Sequence, residues 1–64
     1  MIIDKTYIFQ NGKRVGYILL RAKLCHYSIE LYMIGVGNPA YIVTTDDYFL
    51  ALHKVVIMRN KYSY

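Results

Sequence analysis

The segment TYIFQNGKRVGYILL, residues 6–20, decides the fold of this 64-residue chain. Two runs rich in β-branched and aromatic residues, 6–10 and 13–20, flank the dipeptide Asn11-Gly12. Asn-Gly adopts the positive φ angles that a tight hairpin turn requires, so the segment predicts a β-hairpin.

The register of this hairpin depends on the length of its loop. A two-residue loop places Ile8 opposite Val15, whereas a three-residue bulged loop shifts the pairing and exchanges the two faces. The sequence leaves both registers open.

The segment after the hairpin fits two kinds of secondary structure. Apolar residues occupy every second position from Cys25 to Met33, which is the period of a half-buried strand. A helix competes, because apolar residues between 20 and 34 also recur at spacings of four and three. The β-branched and aromatic composition favours the strand, which would support the hairpin as a neighbour. This strand requires a turn at 21–23, although that tripeptide contains no Gly, Pro, Asn or Asp.

The second half of the chain predicts a loop, a short strand and a helix. Gly, Asn and Pro residues within 35–39 indicate the loop, and 40–43 can add a fourth strand. Thr44 fits an N-cap with Asp47 completing a capping box, which predicts a helix over 45–60. The expected fold is therefore α+β, with three or four antiparallel strands and one C-terminal helix packed across the sheet (β-β-β-α).

The helix is expected to cover the sheet with one side. At about 100° per residue, the residues predicted to face the sheet are Tyr48, Phe49, Leu52, Val55 and Val56, with Ala51 and Met58 beside them. Arg59 and Lys61 complement the negative end of the helix dipole. The terminal residues 60–64 either form a mobile tail or fold back over the sheet.

Size and composition bound the function. The chain is expected to form a single domain, 1–64, with a thin core. One cysteine rules out an internal disulfide, two histidines fall short of a zinc site, and no cofactor is expected. A hydrophobic fraction of 56% then favours self-association as a homodimer. With neither a signal peptide nor a membrane span in the sequence, we expect a cytoplasmic protein.

The charge and the tyrosines point to a macromolecular partner. Eight Tyr and eight Lys or Arg residues give an aromatic chain of net charge +4, which favours a nucleic acid or an acidic protein surface. One candidate binding face lies along the predicted hairpin, where basic residues surround a tyrosine without any acidic residue: Lys13, Arg14, Tyr17, Arg21 and Lys23. Such interleaving on a sheet contacts phosphates and bases, or else only solubilises the hairpin.

A second candidate binding face lies on the helix. Leu50 and Ile57 are seven positions apart on the side that otherwise carries polar residues, including His53 and Lys54. Together these four residues predict a helix-borne contact face for a partner or a second copy of the chain. Isolated exposed apolar residues are the alternative reading.

The residues that could suggest catalysis have simpler explanations. Cys25 and His26 would point to opposite faces of the predicted strand, so they do not form a nucleophile–base pair, and Cys25 is expected to be a small core residue. Asp46 and Asp47 are explained as helix-start residues. We therefore expect no enzymatic activity.

The order of elements resembles two DNA-binding families. The hairpin TYIFQNGKRVGYILL, a third strand and a helix opened by TTDDYFLALHKVV are similar to the arm-binding domains of phage-type tyrosine integrases and to plant ethylene-response DNA-binding domains. Those families read DNA with basic and aromatic residues of the exposed sheet face, which implies roles for Arg14, Tyr17, Arg21 and Lys23. The third strand departs from this pattern, since it carries Glu30 and no basic residue.

In size and in its absence of catalytic groups, the chain also resembles small accessory proteins of phages and mobile elements, of which anti-CRISPR proteins are the best-known class. A single domain that begins at Met1 is expected to act by itself. The first expectation is therefore a non-enzymatic binding protein that sterically blocks a host protein or nucleoprotein complex, in the host cytoplasm if phage-encoded. A basic DNA-binding module and a homodimeric structural accessory protein are the alternatives.

Overall fold

The structure is a computed structural model that describes residues 1–64. Five elements follow one another along the chain: β1 (Ile2–Gln10), β2 (Lys13–Ala22), β3 (Tyr27–Met33), β4 (Tyr41–Thr45) and α1 (Tyr48–Tyr62). The strands form one antiparallel sheet in the order β1-β2-β3-β4, and α1 packs on one of its faces. The predicted α+β fold is confirmed, with four strands.

The hairpin has a two-residue loop and a bulge next to it. Asn11 and Gly12 both have positive φ, at 53° and 79°, and Gln10 pairs with Lys13. The loop has two residues, but it does not give the Ile8–Val15 pairing that a regular two-residue hairpin would have, because Val15 is the extra residue of a bulge and Ile8 pairs with Gly16. The bulge shifts the register of the rest of β2 by one residue, so that Ile8 lies on the same face of the sheet as the buried Ile18.

Gly16 allows the close approach that this register requires. It pairs with Met33, and a Cβ atom at position 16 would collide with the carbonyl oxygen of Tyr32. Gly16 is therefore fixed by contact with β3 rather than by its own backbone conformation.

The segment 25–33 contains the predicted strand, but the strand begins later, at Tyr27. β2 continues through Ala22, and the turn lies at 23–26, where Lys23 N donates to His26 O at 2.8 Å. The turn predicted at 21–23 is wrong because Arg21 and Ala22 pair with Ser28 and Tyr27.

Cys25 and His26 consequently lie in the turn and outside β3. The expectation that Cys25 is a core residue is also wrong, because its position in the turn leaves it exposed.

The helix starts later than predicted, at Tyr48. Thr44 does not cap it, because Thr44 lies in β4 and pairs there with Ser28 of β3. Asp47 is the N-cap instead, and its Oδ1 accepts a hydrogen bond from Leu50 N at 3.1 Å. Thr45 Oγ1 accepts from Asp47 N, which shapes the chain just before the cap. The prediction of Asp47 as a helix-start residue is confirmed, while the range 45–60 is wrong at both ends.

The helix also presents a different side to the sheet. Ala51, Val55 and Met58 are its buried residues. Of the residues predicted to face the sheet only Val55 is buried, whereas Ala51 and Met58, predicted beside that side, are at its centre. Phe49 is 79% exposed, and Tyr48, Leu52 and Val56 are also exposed. Apolar residues occur around most of the helix, so its sequence selects no side.

The core lies between α1 and the central strands. It is formed by buried residues of the sheet and helix: Ile8, Ile18, Leu20, Ile29, Leu31, Ala51, Val55 and Met58. No helix in the chain has the length and apolar character needed to cross a membrane.

The last residues fold back onto the outer edge of β1. Tyr64 N donates to Phe9 O at 3.0 Å, and Asn11 N donates to Tyr64 O at 2.8 Å. Tyr62 packs against the core, whereas Tyr64 is exposed. Of the two expectations for residues 60–64, folding back is the one observed.

Candidate functional site

The face of the sheet opposite α1 carries three tyrosines in a row. Tyr7 pairs with Tyr17 across β1 and β2, and Tyr17 pairs with Tyr32 across β2 and β3. Cross-strand partners project from the same face of a sheet, so the three rings lie side by side. None of them belongs to the core under α1.

Two cations continue this row. The Arg14 guanidinium lies 4.8 Å from the centre of the Tyr7 ring, and the Lys5 ammonium lies 5.3 Å from the same ring. Lys5 also lies 4.6 Å from the Tyr17 ring, which stacks on Tyr32 at 5.1 Å. We call these five residues, Arg14, Tyr7, Lys5, Tyr17 and Tyr32, the tyrosine–cation row.

The row rests on a buried leucine and is held by its neighbours. Leu19 lies on the same face between Lys5 and Glu30, yet it is only 6% exposed. Its cross-strand partners are Lys5 and Glu30, and long side chains of this kind commonly cover apolar neighbours. Stacked aromatic pairs and cation–π contacts of this kind contribute roughly 0.5–1.5 kcal/mol each, which favours this arrangement of the row.

A cluster of polar residues continues the open face beyond Tyr32. Glu30 Oε1 accepts hydrogen bonds from Tyr32 Oη at 2.7 Å and from Arg21 Nε at 3.0 Å. Glu30 Oε2 accepts from Ser28 Oγ at 3.0 Å. The Glu30 side chain is only 9% exposed, although no helix covers this face. These three hydrogen bonds satisfy both carboxylate oxygens and hold the carboxylate in one position.

These contacts change the ionisation of the cluster. Burial alone raises the pKa of Glu30, but hydrogen bonds from Tyr32, Arg21 and Ser28, together with the charge of Arg21, outweigh burial and lower it. The pKa of Tyr32 is raised, first by its hydrogen bond to Glu30 and then by burial. Glu30 is therefore the ionised acceptor of the cluster at neutral pH.

The basic residues predicted from the sequence divide into two groups. Arg21 forms the one salt bridge of the chain, with Glu30, and this pairing neutralises its charge. Lys13, Arg14 and Lys23 are exposed and form no salt bridge. Lys13 and Arg14 lie at one end of β2 and Lys23 beyond the other, so the structure does not gather them into one pocket.

The helix residues predicted as a contact face are exposed or partly exposed. Leu50, His53 and Ile57 are exposed, and Lys54 is half-buried. Lys54 and Ile57 also line a groove of about 220 Å³ between α1 and β4, which they share with Tyr41, Val43, Met58, Lys61 and Tyr62. His53 and Leu50 do not line this groove.

Lys5, Tyr7 and Tyr32 were absent from the predicted binding residues. The signal that could have found them is the period-two alternation of β1 and β3. It puts Lys5 and Tyr7 on one face of β1, and it puts Tyr32 on the face of β3 that does not carry the core residues. The register between β1, β2 and β3 does not follow from the sequence, so the three residues could not be joined to Tyr17. That Lys61 and Tyr41 line the groove was likewise not predictable, because it depends on where α1 lies over β4.

No group of three or more His, Cys, Asp or Glu side chains comes together as a metal site. Comparison with models of protein families, with curated proteins and with solved structures gives no match to this chain.

Proposed function

We propose that this protein is a non-enzymatic binding protein that docks the tyrosine–cation row onto an acidic surface of a partner protein and sterically blocks that surface. The observation that carries the proposal is the alternation of Arg14, Tyr7, Lys5 and Tyr17 on the open sheet face. Tyr and Arg are the residue types that dominate binding energy in protein interfaces. The row contains no acidic residue, so it is complementary to negative charge.

The order of the row supports tight binding. Side chains that are already stacked lose little conformational entropy when a partner covers them. The polar cluster around Glu30 fixes the far end of the row through Tyr32. A preorganised, flat face of this kind suits a complementary protein surface.

The ring contacts favour a protein over a nucleic-acid base as the ligand. Lys5 of β1 and Tyr32 of β3 flank Tyr17 of β2, so they approach its ring from opposite sides. Two cations also lie over the Tyr7 ring. A base that stacked on Tyr17 would have to displace one of these neighbours, whereas stacking platforms for single strands offer free ring faces.

We favour one form of this function: the protein is an inhibitor of the anti-CRISPR kind. It would act in the host cytoplasm on a host protein or nucleoprotein complex. Such an inhibitor needs a rigid contact face and no catalytic group. The proposal predicts a stoichiometric complex with one protein partner and little affinity for DNA alone.

The test compares two variants with the same change of charge. Immobilised wild-type protein would capture candidate partners from a host lysate, and each candidate would then be purified and mixed with the chain for gel filtration. We expect a stoichiometric complex that Lys5→Glu/Arg14→Glu weakens at least about tenfold. The control variant Lys54→Glu/Lys61→Glu should retain this complex, because its substitutions lie on the side of α1. Equal weakening by both variants would contradict a role for the row.

DNA binding is a second candidate, which the exposed Lys13, Arg14 and Lys23 support. Lys13 and Lys23 are ten residues apart, or about 33 Å along a strand, which matches an extended anion such as a duplex. Electrophoretic shifts with double- and single-stranded DNA at two salt concentrations separate the two functions. Affinity that falls steeply with salt, without any stoichiometric protein complex, would favour DNA.

A homodimeric accessory protein is the third candidate. Phe49 and Val56 lie on the outer side of α1, and apolar exposure of this kind favours association. Sedimentation equilibrium of the wild type and of Phe49→Ser tests this: a dimer that the substitution dissociates would support it.

A further inference from the structure

The two edges of the sheet differ in how they are covered. β1 and β4 are the edge strands, and the backbone of Tyr64 pairs with part of the β1 edge at Phe9 and Asn11. No backbone hydrogen bond reaches the outer edge of β4. The alternate amide and carbonyl groups along that edge are therefore free to pair with another strand.

The sequence of β4 lacks the features that protect an edge. Its five residues, YIVTT, contain no charge, no proline and no glycine, and four of them are β-branched. Proteins commonly block an exposed edge with lysine, proline or a bulge. An unprotected edge with high strand propensity is suited to accept an additional strand.

A groove accompanies this edge on the side of α1. Tyr41 and Val43 of β4 form one wall, and Ile57 and Met58 of α1 form the other. Lys54 and Lys61 line the same groove, and no acidic residue does. A strand added to β4 would send every second side chain towards this groove.

The charge of the groove selects its occupant. A second copy of the chain, paired with β4 through a two-fold axis, would bring the same two lysines of its own helix towards Lys54 and Lys61. Like charges would then meet with no acidic residue between them. A segment that carries carboxylates is complementary to the two lysines of the groove, whereas a second copy of the chain is not.

We propose that the β4 edge and this groove bind an extended acidic–apolar segment of a partner protein as a fifth strand. Lys54 and Lys61 are seven residues apart, or about 10.5 Å along the helix axis. Two acidic residues at positions i and i+4 of a strand are about 13 Å apart, within reach of two flexible lysines. The side chain at i+2, between them, is apolar and meets Ile57 and Met58.

This site is separate from the tyrosine–cation row, which lies on the other face of the sheet, and the inference does not depend on the proposed function. The partner contact here consists of main-chain pairing plus two carboxylates. The site would therefore bind an extended acidic segment rather than a folded surface.

The experiment uses the full chain and a designed peptide as probe. The peptide TETVTET, blocked at both ends, places Glu, Val and Glu on one face, and TKTVTKT is its basic counterpart. Two-dimensional amide NMR of the labelled protein would follow each titration. We expect TETVTET to shift the amides of Tyr41–Thr45 and of Lys54, Ile57 and Lys61, while TKTVTKT leaves them in place.

Variants of equal charge change locate the site. Lys54→Glu/Lys61→Glu should weaken the binding of TETVTET at least tenfold and create binding of TKTVTKT. Lys5→Glu/Arg14→Glu should leave the binding of TETVTET within about twofold, because the row lies on the other face. Circular dichroism would verify that both variants are folded.

Four outcomes would overturn the inference. They are the absence of any shift at millimolar TETVTET, equal responses to the acidic and basic peptides, undiminished binding of TETPTET, and β4 shifts that depend on protein concentration without peptide. Proline in TETPTET removes a main-chain donor and also the valine that is proposed to meet Ile57 and Met58, so its undiminished binding would contradict the proposed arrangement of the strand. Concentration-dependent shifts would assign the edge to a second copy.

Discussion

Tyr17 and Tyr32 stack with their ring centres 5.1 Å apart and their planes 16° from parallel, joining the two central strands on the face that α1 leaves open. Aromatic pairs prefer such offset stacking, which adds about 0.5–1.5 kcal/mol to the free energy of burial. The contact makes the open face part of the folded framework.

The first prediction concerns this pair. Tyr17→Ala and Tyr32→Ala should each lower the free energy of unfolding by about 1–3 kcal/mol, because each loses a half-buried ring. The double variant should lose about 0.5–1.5 kcal/mol less than the sum, since each single variant already removes the stacking. Urea denaturation of the four proteins measures this, and strict additivity would mean that the rings do not stabilise each other.

The second prediction concerns Glu30 and pH. Because the pKa of folded Glu30 is lowered, its ionised form stabilises the chain above the unfolded pKa of about 4.3, and this contribution is lost as pH falls through the lower folded pKa. Glu30→Gln should cost about 1–2 kcal/mol at pH 7, with a difference that shrinks below about pH 4. Chemical denaturation at pH 7, 5 and 3 tests the sign.

Asp4→Asn is the matched control for this pH dependence. Asp4 is exposed and accepts a hydrogen bond only from the hydroxyl of Thr6, so the change should cost less than about 0.5 kcal/mol at pH 7. Similar losses of stability from Glu30→Gln and Asp4→Asn would show that the hydrogen bonds around Glu30 contribute no more to the free energy of unfolding than the exposed contact of Asp4.

The third prediction concerns the close contact of β2 with β3. Gly16→Ala should destabilise the chain by more than about 2 kcal/mol, because its methyl group meets the backbone oxygen of Tyr32, which cannot move without breaking the sheet. Gly37→Ala is the control, since a Cβ there meets nothing within 4 Å. Thermal unfolding of the two variants should differ clearly, and equal midpoints would disprove the register of the bulge.

The fourth prediction concerns the residue that caps α1. Asp47→Ala should cost about 1 kcal/mol, because it removes the acceptor of Leu50 N. Asp46→Ala should cost little, since its neighbour provides the cap. A larger loss at position 46 than at position 47 in urea denaturation would place the start of the helix elsewhere.

The local parts of the fold were predictable from the sequence. Asn11-Gly12 specifies its own turn, and the alternation of apolar residues in 27–33 favours a strand over a helix, because both signals act between residues close in the chain. The Arg21 pairing with Glu30 was not predictable in this way. It depends on the register of two strands, which sequence spacing does not fix.

The start of α1 shows how tertiary contacts override local signals. Thr44 and Asp47 together match a capping box, but pairing of Thr44 with Ser28 keeps it in β4 and leaves Asp47 to cap the helix. The residues of the tyrosine–cation row followed the same rule. Arg14 and Tyr17 were identified from their composition, whereas Lys5, Tyr7 and Tyr32 were missed.

The sequence alone determined the hairpin, the C-terminal helix and the excess of tyrosine and positive charge, and it favoured the third strand over a helix. Each of these depends on residues near one another in the chain. Only the tertiary structure decided the bulge at Val15, the side of α1 that is buried, the tyrosine–cation row and the open β4 edge. A helix with apolar residues around most of its surface has several sides that can pack, and the sheet selects one of them through contacts between residues far apart in the sequence.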